Sequence, residues 1–122
     1  LTMASPRKPP SHKPIVWSLF AGGGTFAAFL TPVMILITGL ALPLGLLAPD
    51  VLSFAHMSAL LAAPIAKGLV FLAIFLPAWH AAHRLRITAH DFGVRADAVV
   101  MVVCYGLALV GTLATGYYLL AI

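Results

Sequence analysis

Between Leu76 and Asp91 the sequence reads LPAWHAAHRLRITAHD, which sets Trp79, His80, His83, Arg84, Arg86, His90 and Asp91 within about four helical turns of one another. On a 3.6-residue period His80, His83, Arg84 and Ile87 share one side, with His90 and Asp91 following, so the polar groups form a stripe. A stripe implies a partner or ligand beside it. Indole and guanidinium N–H groups donate hydrogen bonds, and imidazole also passes protons near neutral pH. Such donors suit the carbonyl oxygens of a lipid-soluble redox ring, a quinone, where negative charge grows on reduction and flat apolar or aromatic walls hold the ring. No Ser/His/Asp set, phosphate loop or carboxylate pair accompanies them.

The elements that must position this stripe are membrane helices. Apolar residues make up 62% of the 122 residues, charged residues only 8%, and glutamate is missing altogether, where a soluble domain carries about a quarter charged residues. Mean hydropathy is +1.08. Seven basic residues against three acidic are too few for a nucleic-acid footprint and read as topology signals. The lone Cys104 sits in an apolar run and cannot form an intrachain disulfide.

Residues 1–13 are basic and Pro-rich, without apolar periodicity, and are expected to form a mobile cytoplasmic tail; residues 14–122 form the membrane domain. Pro14 to Pro49 carries no charge over 36 residues, longer than a signal-peptide core, and reads as a retained anchor. A helix that long would span about 54 Å against about 30 Å of hydrocarbon, so part of it must tilt, lie flat or break. IVWSLF (15–20) suits an interfacial segment, and Gly22, Gly23 and Gly24 after it allow either a bend or close helix contact. The expected architecture is all-α with three transmembrane helices: about 15–47 including that interfacial segment, 64–89, and 97–121. Pro32 argues for a bundle, Pro43, Gly45 and Pro49 end the first span, and Pro77 bends the second one turn before the His/Arg cluster. Residues 50–63 form a short amphipathic connector. In the third span Cys104, Ala108, Thr112 and Gly116 recur every four residues, a small-residue seam for packing, as Gly23 and Gly24 are in the first.

Arg7, Lys8, Lys13, Arg84, Arg86 and Arg95 fall on one side and only Lys67 on the other, six of seven. The positive-inside rule then makes the N-terminus cytoplasmic and the C-terminus external. It also brings Trp17 and the His83/Arg84 pair to the same depth. Two remote segments converge on one layer, close to the water that must exchange protons with any quinone there.

The order PIVWSLFAGGG, TPVMIL, LALPLGL, LPAWHAAHRL and CYGLA resembles the fumarate reductase D-subunit family, over nearly the whole chain after the tail. That resemblance implies a non-catalytic membrane anchor of a menaquinol:fumarate reductase of the bacterial inner membrane, serving anaerobic respiration. Its partners are a second three-helix anchor (of the C type), an iron–sulfur subunit and a flavoprotein with covalent FAD, so FAD and iron–sulfur clusters belong to the partners. The cofactor that the resemblance implies for a site shared by this chain is menaquinone. Trp17 and Phe20 match the family's aromatics bordering the quinone, and His83 and Arg84 its histidine–arginine pair. His80, Arg86 and His90 are candidates for a proton relay or a subunit contact. The chain departs from the family's pattern at His80, Arg86 and Ile87, so the resemblance lends His80 no role.

Each position also has a plainer reading. Trp17 is equally a headgroup-level belt anchor, Arg86 a topology or lipid contact, and His80 an interhelical hydrogen-bonder. No metal and no haem are expected: His80 and His83 lie on one helix near its end, so a second axial ligand would have to come from another chain, and the family lacks haem. Two alternatives stay open. One is the anchor of a succinate dehydrogenase. The other is a small transporter or channel component, for which an intramembrane carboxylate or repeated half-structure is expected and is not found in the sequence.

Overall fold

A proline opens the first helix, α1 (Lys13–Ile35): Pro14 takes a first-turn position, where a missing N–H leaves no bond unmade. The structure, a computed structural model, describes residues 10–122, and residues 1–9 of the expected tail lie outside it. α1 runs without interruption through Gly22, Gly23 and Gly24, so the interfacial segment expected ahead of them is simply the first turns of the same helix. Its continuation, Leu36–Ala41, widens into a π-helix, and the span ends there, short of the expected 47. Pro43 follows, and in α geometry its ring would meet the Gly39 carbonyl, a clash that a shift to five-residue spacing avoids.

The turn that follows the first span closes on a left-handed glycine. Gly45 (φ +68°) lets its own N–H reach the Leu42 carbonyl (3.0 Å) while the Leu46 N–H reaches Ala41 (2.9 Å). After a turn comes α2 (Phe54–Leu61), capped by the Ser53 hydroxyl, which accepts from the His56 N–H at 3.3 Å. α3 (Pro64–Asp91) again begins on a proline and contains Pro77, and it ends as the first span does: Gly93 (φ +86°) donates to His90 (2.9 Å) and Val94 to Ala89 (3.0 Å). α4 (Asp97–Ala121) completes the chain, and no strand occurs among the described residues. Nothing lies within 4 Å of a side-chain carbon built at Gly93, so Gly93→Ala meets only backbone strain. It is expected to cost roughly 1–2 kcal/mol, read as a lower unfolding midpoint of the detergent-solubilised protein with its activity retained.

Among the described residues, three helices are long and apolar enough to cross a membrane: 13–41 (29 residues), 64–91 (28 residues) and 97–121 (25 residues). α3 is the middle helix, packed against both α1 and α4. Phe20 lies beside His83 and Gly23 beside Leu76, so α1 and α3 are antiparallel; Trp79 meets Thr112 and Arg86 meets Asp97, so α3 and α4 are too. The start of α1, the end of α3 and the start of α4 therefore share one end of the bundle. Lys13, Arg84, Arg86 and Arg95 gather there, and Lys67 stands at the other end.

The core is small. Buried apolar side chains among the described residues are Ala82, Ala108 and Leu119, whereas Phe29 is 75% and Leu120 83% exposed. A soluble chain with that surface would aggregate, but in lipid the outside is as apolar as the inside, and helices associate where small residues let backbones approach. Several hydroxyls on the helix faces are satisfied by the backbone one turn earlier: Ser18 donates to Pro14, Thr38 to Met34 and Thr115 to Gly111, each at 2.7 Å.

Candidate functional site

The α1–α3 contact begins with what is missing. A side-chain carbon at Gly23 would run into the Leu76 carbonyl of α3, and one at Gly24 would stand 2.5 Å from Cε1 of His80. These two glycines allow the His80 imidazole to lie on the α1 backbone, where its Nδ1–H donates to the Phe20 carbonyl at 2.6 Å. One turn further along α3, the His83 ring stacks on the Phe20 ring, with centroids 4.3 Å apart and planes 7° from parallel. Phe20 is thus gripped by consecutive histidines, its backbone by His80 and its ring by His83.

α4 completes the arrangement. His83 Nδ1 lies 2.9 Å from the Tyr105 hydroxyl. The Tyr105 ring stacks near that of Phe20 (6.4 Å, 22°) and that of Trp79 (6.0 Å, 19°). Trp79 has no N–H to spare for a ligand: its indole donates to the Thr112 hydroxyl (3.0 Å), which donates in turn to the Ala108 carbonyl (2.8 Å). Arg86 closes the end of the hairpin. Its Nε and Nη2 donate to Asp97 Oδ1 (2.9 Å) and Oδ2 (2.6 Å), a bidentate pair that neutralises one of the cations gathered there.

Two open clefts meet at His83. The first, of ≈ 520 Å³, is lined by His12, Lys13, Val16, Trp17, Phe20 and His83. Its walls are apolar and aromatic, and its polar groups are cationic or imidazole. The second, of ≈ 350 Å³, is polar and lined by His83, Arg86, Ile87, His90 and Asp97. Trp17 is 72% exposed at the rim of the first cleft. Trp17, Phe20 and His83, far apart in sequence, thus come together. Arg84 stands exposed and is not among the residues lining either cleft. Arg86 and His90 share the polar cleft, while His80 ties helix to helix. Gly23, Gly24, Ala108 and Thr112 lie at helix contacts, and a carbon at Gly116 would stand 3.8 Å from the Phe71 ring.

The family model for the D subunit of fumarate reductase matches residues 7–120. The chain belongs to the fumarate reductase D-subunit family. A curated relative of that name from Mycobacterium bovis is 41% identical over 114 residues, covering 90% of this chain and 88% of its own length. Others of the same name, from Photobacterium profundum and Aliivibrio fischeri, are 40% identical over 98 residues and 35% identical over 102. They cover 80% and 84% of this chain and 82% and 85% of their own lengths. With three bilayer-length helices, this member of the D-subunit family is a multi-pass membrane protein.

Four residues of the candidate site, Tyr105, Asp97, His12 and Lys13, carry no site expectation from the sequence. Tyr105 carried a signal, since a phenol inside an apolar helix requires a partner for its hydroxyl. Asp97 carried a weaker one as the only acid near the start of the third span. His12 and Lys13 were grouped with the tail, and the helix that lifts Lys13 into the cleft begins at Lys13 itself, ahead of the expected 15.

Proposed function

We propose that this chain is a membrane anchor of a menaquinol:fumarate reductase in the bacterial inner membrane, and that the end of the bundle bearing Trp17, Phe20 and His83 is its share of the menaquinol oxidation site. The observation that carries the reading is the parallel stack of Phe20 on His83 at 4.3 Å, beside an open apolar cleft rimmed by Trp17 and Lys13. A naphthoquinone fits those residues in kind: Phe20 supplies a flat wall, Trp17 an exposed indole N–H, His83 an imidazole and Lys13 a cation. When bound, the quinol supplies the electrons and protons of the reaction.

The chain's own residues would bind and orient the ring, hold positive charge near its oxygens and receive a proton at His83. The polar cleft on the other side of His83, with His90 and the Arg86–Asp97 pair, offers that proton a way to water. The positive-inside rule places this end at the cytoplasm. There it can abut an iron–sulfur subunit, which carries a flavoprotein with covalent FAD, while a second three-helix anchor covers part of the exposed apolar surface. Arg84, exposed and outside both clefts, is then available to the partner subunits or to the lipid headgroups.

Purification of the chain under a mild detergent tests the assembly. A large flavoprotein with covalently bound flavin is expected to co-purify and to reduce fumarate with menaquinol as donor. A flavin-free preparation from membranes that retain fumarate reductase activity would remove the assignment.

A further inference from the structure

His80 and His83 are held through the same ring atom by partners of different capability. The Phe20 carbonyl only accepts, so His80 Nδ1 keeps its hydrogen whatever happens at Nε2. Tyr105 offers His83 a hydroxyl, which accepts or donates. The His83–Tyr105 bond therefore persists with the imidazole neutral in either tautomer or protonated on both nitrogens. His80 is locked, and His83 is free to change protonation without losing its anchor. The hydroxyl itself is carried by a supported ring, because the Tyr105 ring lies roughly parallel to those of Phe20 (6.4 Å) and Trp79 (6.0 Å), and Trp79 is tied to Thr112.

We propose that Tyr105 is a positioning residue for His83: its hydroxyl holds Nδ1 against α4, turns Nε2 toward the cleft of Trp17 and Phe20, and stays bonded while His83 takes up a proton from a quinol. This rests on the reading of that cleft as a quinol site. Quinol oxidation releases two electrons and two protons. One quinol O–H bond breaks as the Nε2–H bond of His83 forms, the second proton goes to water, and the electrons leave to an iron–sulfur acceptor in the neighbouring partner. Without the hydroxyl the imidazole loses its fixed orientation, although the Phe20 stack still keeps it in the cleft.

Tyr105→Phe removes one oxygen atom and keeps the ring stack. In the purified complex, normalised to covalent flavin, it is expected to lower kcat for menaquinol oxidation about tenfold while leaving KM and dye-driven fumarate reduction within about twofold. The double variant Tyr105→Phe, His83→Gln is expected to be no slower than His83→Gln alone, since a hydroxyl whose role is to position the imidazole has none left to position. A wild-type kcat in Tyr105→Phe, additive losses in the double variant, or failure of Tyr105→Phe to incorporate flavin would each overturn the proposal; failure to incorporate flavin would make the hydroxyl a packing group. If His83→Gln itself oxidises menaquinol normally, the quinol reading of the cleft falls first, and the inference about Tyr105 falls with it.

Discussion

Gly23→Ala is expected to unseat α1. The added carbon would collide with the Leu76 carbonyl and stand 2.9 Å from Cβ of His80, and a backbone carbonyl inside a helix cannot swing aside as a flexible side chain can. α1 has to move away from α3, and the His80 bond to Phe20 and the stack of Phe20 on His83 lengthen together. Overpacking of this kind costs about 1–3 kcal/mol. Because the contact also holds the candidate site together, menaquinol-driven turnover is expected to fall by more than the loss of assembled protein. Gly22→Ala provides the control next door: nothing lies within 4 Å of its added carbon, so assembly and turnover are expected to match the wild type. Measuring covalent flavin per unit of membrane protein and quinol turnover per flavin separates the two losses. Equal behaviour of the Gly22 and Gly23 variants would mean that the notch does not seat α1.

His83→Gln is expected to have the larger catalytic effect. Glutamine retains a hydrogen-bonding head near the Tyr105 hydroxyl but takes up no proton in the physiological range. Loss of a positioned proton acceptor costs typically about a hundredfold, so menaquinol-driven fumarate reduction is expected to drop by roughly that factor. Turnover with an artificial dye that delivers electrons directly to the partner subunits is expected to stay within about twofold. A parallel fall in both activities would assign His83 to assembly, and no fall in either would leave the aromatic cleft without a role in quinol oxidation.

The spans were legible because charge is scarce and prolines punctuate it. The third helix runs 97–121 as expected, and the second extends to Asp91, two residues past the expected 89, because Gly93 and not a charged residue ends it. The triple glycine was harder. Read alone, GGG permits either a bend or a contact, and only the neighbour that fills the notch, here His80 and Leu76, selects between them. Convergence of Trp17 with His83 followed from counting basic residues, since the positive-inside rule puts the basic start of the first helix and the basic end of the second on the same side of the membrane. The inward-facing arginine did not follow. Arg84 and Arg86 are roughly 200° apart around the helix, and periodicity grouped Arg84 with His83. The position of Asp97 on α4 makes Arg86 the paired one, a fact of interhelical register that no single helix records. For Tyr105 the need of a partner is legible in an apolar helix, but that the partner is His83 is again a matter of register between helices.

The grip on Phe20 separates two duties that usually compete. Its carbonyl secures α1 whatever side chain the residue bears, and its ring alone faces His83. On the proposed reading, substitution at position 20 would therefore reshape the wall met by a quinol at the cost of the stack on His83, while the bond that ties the two helices through His80 would remain.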